Sequence, residues 1–129
     1  MILGGIHANV LAPVVVACGG ALGAVLRWLA IRYGKKLLRS PIPTLLINCA
    51  GSLALGWLAA RDAGIVALGL GTGVLGGFTT FSTFAVEAAQ LYEAPERRIK
   101  SMVYVAVTLF ASAAFAAAGW VIGTGGVST

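Results

Sequence analysis

The chain has 129 residues, of which 59% are hydrophobic and 10% are charged, and it contains 18 glycines. Ordinary globular domains carry about 25% charged residues, so this composition is not that of a water-soluble domain and indicates an all-α membrane protein. A spanning helix needs about 20 residues, so the length allows four or five crossings and leaves no room for a domain outside the bilayer. The formal net charge is +5. Because the cations lie between apolar runs, they indicate lipid headgroups and orientation signals rather than nucleic acid.

The apolar runs predict a single domain, residues 1–129, with transmembrane helices over residues 10–30, 44–60, 63–86 and 102–122. Asn9, followed by an apolar stretch that contains Pro13, indicates the start of the first helix. The segment from Ile31 to Pro43 carries four cations and two prolines, a composition typical of a basic loop. Tryptophans near the proposed helix ends favour the same boundaries, because an indole ring prefers the headgroup level.

The predicted loops differ strongly in charge. One side of the membrane receives seven cations beyond the helix ends, and the other receives Arg61 alone. The seven are Arg32, Lys35, Lys36, Arg39, Arg97, Arg98 and Lys100. Because loop Lys and Arg resist translocation, this bias predicts that the two basic loops face the cytoplasm and that both termini lie outside.

The third predicted helix contains the least ordinary sequence of the chain. Glycines spaced by four, Gly69, Gly73 and Gly77, predict a face that a neighbouring helix can approach closely. A Gly-Gly pair followed by hydroxyl side chains weakens helix continuity, so residues 76–80 are the predicted break near the bilayer centre. Such a break exposes backbone carbonyl and N–H groups, which can bind ions without a charged side chain in the membrane.

Polar side chains recur at helical spacing on two other predicted helices. Thr44, Asn48 and Ser52 lie on the second, and Tyr104, Thr108 and Ser112 lie on the fourth. Such stripes either hold helices together or line a path, and hydroxyls are the weaker signal because they can bond to their own helix. The Asn48 amide is harder to satisfy locally, so both roles remain open for it.

Aromatic residues follow the predicted break at intervals of three. Phe78, Phe81 and Phe84 are therefore predicted to share one helix face. Such a stripe packs against lipid or core in most proteins. Alternatively, its ring edges, which carry partial positive charge, can face an anion.

Residues Gly76 to Phe84, Gly-Gly-Phe-Thr-Thr-Phe-Ser-Thr-Phe, resemble the G-G-x-T-T-F-S-T-F signature of the Fluc (CrcB-type) fluoride channels. The segments Gly19–Trp28 and Thr44–Gly51 are also similar to patterns of that family, and Glu87 falls where the family has an acid. The resemblance therefore extends along the chain. It implies four helices per subunit, the third broken near the midplane, and an antiparallel, dual-topology-type dimer with two pores built from both chains.

The resemblance also implies roles for particular residues. Phe81 and Phe84 would offer ring edges to fluoride, and Asn48 would donate its amide N–H. The remaining pore track or its borders would comprise Ser82, Thr83, Thr44, Tyr104, Thr108 and Ser112. The main-chain carbonyls of Gly76 and Thr79 would bind a structural sodium ion. Arg27 would be a vestibule arginine, or it would snorkel from the end of the first helix.

The principal expectation is a fluoride-selective passive channel, not an enzyme, that exports fluoride across the bacterial inner membrane and so reduces its toxicity. One alternative is a small proton-coupled multidrug exporter of the four-helix type, which would need an embedded carboxylate that the first helix lacks. Another is a non-transporting assembly protein, in which glycines and hydroxyls only hold helices together. The expected partner is a second copy in opposed orientation or an oppositely oriented paralogue. The complete set of pore positions favours the second copy, whereas the charge bias favours the paralogue.

Overall fold

The computed structural model describes residues 2–61 and 64–125, with side chains described from residue 10 onward. The helices of this part of the chain are α1 (Ile2–Leu37), α2 (Ile42–Ala59), α3 (residues 64–78), α4 (Phe81–Glu93) and α5 (Arg98–Gly125). Helices α3 and α4 together form one span, Gly64–Glu93, so that four spans in the described residues are long and apolar enough to cross a membrane. The prediction of four transmembrane helices with a broken third one is confirmed.

The helices extend further than predicted, most of all at the basic segments. Helix α1 runs from Ile2 to Leu37 instead of over residues 10–30, so the predicted start at Asn9 and the predicted loop from Ile31 are wrong. Lys and Arg are good helix formers, and cations near a helix C-terminus interact favourably with its dipole. The guanidinium of Arg32 also lies 5.0 Å from the ring centre of Trp28. The connection between α1 and α2 therefore shrinks to residues 38–41.

The ends of α2 and α5 lie closer to their predicted positions. Helix α2 covers Ile42–Ala59 against the predicted 44–60, and α5 covers Arg98–Gly125 against 102–122. The third span continues to Glu93, beyond the predicted end at residue 86. Ala63, where this helix was predicted to begin, lies outside the described residues.

The first half of the third span is irregular. It starts as an α-helical turn at Gly64–Ala67, winds as a π-helix over Leu68–Leu75 and closes with a turn at Gly76–Phe78. The wider winding is not predicted from the sequence, because the apolar pattern of so short a segment does not separate a π-helix from an α-helix. Its glycines nevertheless bring the backbone against α1.

Backbone-to-backbone contact at glycine holds α1 against α3. A methyl group added at Gly23 would meet the carbonyl oxygen of Val74, and one added at Gly77 would meet the carbonyl oxygen of Gly20. Helices α2 and α5 approach each other in the same way, since a Cβ at Gly119 would meet the carbonyl oxygen of Leu53. The prediction that the spaced glycines serve close helix packing is confirmed, because small residues allow this approach inside a membrane.

Gly23→Ala is therefore expected to destabilise the chain by about 1–3 kcal/mol, the usual cost of overpacking. Gly20→Ala is the matched control on the same helix, because the nearest heavy atom to its added Cβ, the Gly73 carbonyl oxygen, lies 3.9 Å away. Thermal unfolding in detergent micelles measures the difference. Equal unfolding temperatures for the two variants would contradict the packing described here.

Candidate functional site

The third span is interrupted at Thr79 and Thr80. Both residues are extended, with φ −72° and ψ 155° for Thr79 and φ −144° and ψ 122° for Thr80. The backbone N–H and the hydroxyl of Thr79 both donate to the carbonyl of Leu75, each at 3.0 Å. On the other side, the Thr80 hydroxyl accepts the Thr83 N–H at 3.2 Å and so caps the start of α4. The predicted break within residues 76–80 is confirmed.

Asn48 on α2 forms hydrogen bonds with the backbone groups of Thr80 that the break leaves without helical partners. Its Nδ2 donates to the carbonyl of Thr80 at 3.0 Å, and its Oδ1 accepts the N–H of the same residue at 2.9 Å. A buried peptide group without a partner is costly, so this pair stabilises the extended residue. In a continuous helix the Thr80 N–H would bond the Gly76 carbonyl. Because the Thr80 N–H bonds Asn48 instead, the Gly76 carbonyl lacks this donor. The Asn48 amide nitrogen carries two hydrogens and uses one of them for the Thr80 carbonyl, so the other stays available.

A cavity of about 260 Å³ opens beside the break between α2 and α5. Among its lining residues are Asn48, Ser52, Phe81, Phe84, Thr108 and Ser112. The hydroxyls of Thr108 and Ser112 are buried and have no hydrogen-bond partner among the described residues. No residue that lines the cavity carries a charged side chain. The cavity thus combines an amide and unsatisfied hydroxyls in a neutral, largely apolar wall.

The rings of the first turn of α4 differ in burial. Phe84 is 7% exposed and packs against Tyr104 with ring centres 5.4 Å apart, whereas Phe81 is 78% exposed. The two phenylalanine rings lie 5.8 Å apart at an interplanar angle of 54°. Phe78 does not share their helix face as predicted, because the break separates it from α4. Its ring lies instead toward α2, 3.7 Å from a Cβ placed at Gly51.

Other residues singled out in the sequence lie outside this cavity. Thr44 is fully buried and its hydroxyl has no partner among the described residues. Ser82 and Thr83 line a separate depression on the far side of α4. Both of their hydroxyls lie within hydrogen-bond distance of the Thr80 hydroxyl, at 3.4 and 3.1 Å. The role of Thr80 as a cap is not among the predictions from the sequence, although threonine is one of the residue types preferred at a helix N-cap.

Arg27 reaches the break rather than the membrane surface. Its Nη1 donates to the carbonyl of Thr79 at 3.2 Å, and the residue lies within α1, ten residues before its end at Leu37. The snorkelling interpretation assumes a helix end at residue 30, so it loses its basis. The C-terminal end of a helix attracts positive charge, and Arg27 supplies it at the end of α3.

Glu87 is the buried centre of a polar cluster that the sequence did not predict, and this cluster reaches the surface at Lys35 and Ser40. Because α4 continues to Glu93, Glu87 lies within the helix and is only 7% exposed. Ser40 and Tyr104 donate their hydroxyls to its carboxylate, each at 3.1 Å, and the Lys35 Nζ lies 3.6 Å away. These partners come from three separate parts of the chain. No local pattern could have indicated them.

Glu87→Leu is expected to lower the free energy of unfolding by about 1–3 kcal/mol, since two donors would lose their acceptor. Glu87→Gln keeps an acceptor oxygen and should cost less. Glu93→Leu is the control, because Glu93 is exposed and makes no ion pair in the described part of the chain. Thermal unfolding in micelles ranks the variants. A loss for Glu93→Leu as large as that for Glu87→Leu would contradict the cluster.

The chain matches a known protein family and is similar to several known proteins over most of its length. Residues 14–120 match the family model described as CrcB-like protein, Camphor Resistance (CrcB). A fluoride-specific ion channel FluC 1 of Geobacillus kaustophilus is 40% identical over 114 residues, which cover 87% of this chain and 97% of that protein. FluC 2 of Rhodococcus jostii is 44% identical over 102 residues, 78% of this chain and 89% of the relative. FluC of Paracoccus denitrificans is 42% identical over 120 residues, which cover 85% of this chain and 92% of that protein.

Proposed function

We infer that this chain, which belongs to the CrcB-like protein family, is a fluoride-specific ion channel of the bacterial inner membrane. The observation that carries the inference is the cavity beside the break, where the Asn48 amide and two buried hydroxyls without partners face two phenylalanine rings. The function of relatives alone would not say which residues act. The cavity supplies candidates whose chemistry suits the ion.

Fluoride is small and strongly hydrated, so a pore must replace its water with close donors. Thr108 and Ser112 offer unbonded hydroxyls, and Asn48 retains one amide hydrogen. A lysine or arginine would hold the anion too tightly, whereas neutral donors in series bind it weakly enough to let it leave. The edges of Phe81 and Phe84 carry partial positive charge and can complete the shell.

We propose that two copies of the chain, in opposed orientation, form the pores. Phe81 is 78% exposed in the single chain although its residue lines the cavity, so a second copy on this face would cover the ring and complete the cavity wall. The resemblance to the family supports the antiparallel arrangement. Tyr104, Ser82, Thr83 and Thr44 would then border the path rather than line the cavity itself. The unequal charge of the loops favours one orientation, so an oppositely oriented paralogue is the competing partner.

We further propose that the Gly76 and Thr79 carbonyls contribute to a structural sodium site. Hard cations bind oxygen ligands, backbone carbonyls among them, and the Gly76 carbonyl lacks the N–H that a continuous helix would offer it. The Thr79 carbonyl accepts the Arg27 guanidinium in the single chain, so sodium would have to share this oxygen with Arg27 or displace it. When bound, sodium would supply a fixed positive charge at the break.

Fluoride efflux from liposomes containing the purified chain tests the proposal. We expect efflux when a potassium ionophore is added, without a pH gradient, because a passive pore needs only the electrochemical gradient of its ion. A proton-coupled exporter would require the pH gradient, and an assembly protein would release no fluoride in either condition. Activity of the chain purified alone would also favour a second copy over a paralogue as the partner.

A further inference from the structure

A second depression lies next to the cavity, and Tyr104, whose ring packs on Phe84 of the cavity wall, is among its lining residues. It has a volume of about 600 Å³ and lies between the start of α2, the end of α4 and the first turns of α5. Arg39, Arg97 and Lys100 line it together with apolar side chains that include Leu45, Leu91 and Val107. We call this depression the basic groove. None of its lining residues lines the cavity beside the break.

The cations of the basic groove differ from the others in the chain. Of the nine Lys and Arg residues, Lys35 pairs with Glu87, and Arg27 bonds a carbonyl. Four more stand over aromatic rings, namely Arg32, Lys36, Arg61 and Arg98. The remaining three, Arg39, Arg97 and Lys100, have no side-chain partner among the described residues, and all three meet in this groove. The arrangement concentrates unpaired positive charge at one place.

The sequence around the groove is that of a span end, where lipid headgroups are expected. The apolar span of α2 begins at Ile42, three residues after Arg39, and the cations of the last span precede its apolar part. Val107 lies seven residues beyond Lys100 on α5, a rise of about 10 Å toward the bilayer interior. Helices α2 and α5 both begin beside the groove, so the positive ends of their dipoles lie at its rim.

We propose that the basic groove binds an anionic phospholipid. Its phosphate would lie among Arg39, Arg97 and Lys100, and one acyl chain would follow the apolar wall toward Val107. Basic pockets between transmembrane helices are suited to acidic lipid headgroups, because they offer charge at the surface and apolar area below it. This proposal requires only that the chain is in a membrane, so it stands apart from the proposed fluoride pore.

A second copy of the chain fits the groove less well. To neutralise three cations it would have to bring carboxylates, and the chain contains four Asp and Glu residues, of which Glu87 is already paired. An anionic lipid brings its charge with it and is present in the surrounding bilayer. The charge balance therefore favours the lipid.

Native mass spectrometry of the full-length chain tests the proposal, with equal amounts of phosphatidylglycerol and phosphatidylcholine added in detergent. Each juxtamembrane cation strengthens attraction to anionic lipid by about fivefold. The triple variant Arg39→Gln, Arg97→Gln, Lys100→Gln should thus lower the bound ratio of phosphatidylglycerol to phosphatidylcholine by about tenfold or more. The control Arg32→Gln, Lys36→Gln, Arg61→Gln removes the same charge outside the groove and should lower the ratio clearly less than the groove variant does, because these cations stand over aromatic rings and do not line one common depression.

Three results would overturn the proposal. Equal losses in the two triple variants would mean that charge in general, and not the groove, attracts the lipid. Displacement of phosphatidylglycerol by excess water-soluble glycerol phosphate would mean that the groove takes a free phosphate ester. A changed ratio of monomer to dimer, with unchanged lipid preference, would mean that a second copy covers the groove.

Discussion

Phe81→Ala is expected to lower fluoride efflux by roughly two- to tenfold, while the variant chain keeps its fold. The ring is 78% exposed in the single chain, so its removal costs the folded helices little apolar contact. It does remove a ring edge from the cavity wall, and an aromatic contact is worth about 0.5–1.5 kcal/mol beyond its buried area. Fluoride-electrode recordings from liposomes, with the amount of protein matched, measure the loss.

Phe110→Ala is the matched control for this prediction. Phe110 is also 78% exposed, but it lies on α5 and lines neither the cavity nor the basic groove. The two variants remove the same side chain at the same exposure, so a general effect of lost aromatic surface would appear in both. If both variants conduct fluoride like the unaltered chain, Phe81 has no part in the pore.

Asn48→Leu is expected to abolish fluoride efflux and to destabilise the chain as well. The amide bonds both the N–H and the carbonyl of Thr80, and each buried group left unsatisfied costs about 1–3 kcal/mol. The Thr80 backbone at the break would lose both of its hydrogen bonds to α2, and the cavity would lose its amide donor. Efflux recordings together with thermal unfolding in micelles follow the two effects separately.

Asn48→Asp is a second test of the same residue. The carboxylate keeps an acceptor for the Thr80 N–H but sets its other oxygen against the Thr80 carbonyl, so the chain should still lose stability, and its negative charge repels an anion, so efflux should fail. Leu46→Ala is the control, because Leu46 lies two residues before Asn48 on α2, is 51% exposed and does not line the cavity. Fluoride efflux through Asn48→Leu at the normal rate would contradict the assignment.

The break and the glycine contacts could be predicted from the sequence because their causes are local. A Gly-Gly pair followed by hydroxyl side chains weakens a helix wherever it occurs, and the interruption at Thr79 and Thr80 falls within the predicted five residues. The spaced glycines of α1 and α3 likewise have one use that suits a membrane, which is close backbone approach. The polar character of Asn48 made it a candidate, although its bonds to Thr80 were not foreseen.

The contacts that link distant segments could not be predicted. The partners of Glu87 lie 17 to 52 residues away along the chain, as Tyr104, Ser40 and Lys35, and only helix packing brings them together. The snorkelling interpretation of Arg27, one of two that the sequence leaves open, depends on a loop from Ile31, whereas helix propensity and ring contacts carry α1 on to Leu37. The basic groove likewise depends on three segments that meet only in the folded chain.

The selectivity of efflux tests the central claim most directly, because neutral donors beside an interrupted helix should distinguish a small hydrated anion from a larger one. Liposomes with the purified chain are loaded with equal concentrations of fluoride and chloride, and a potassium ionophore starts the flow. We predict that fluoride leaves and chloride stays inside. Release of both anions at similar rates, or of neither, would contradict the account.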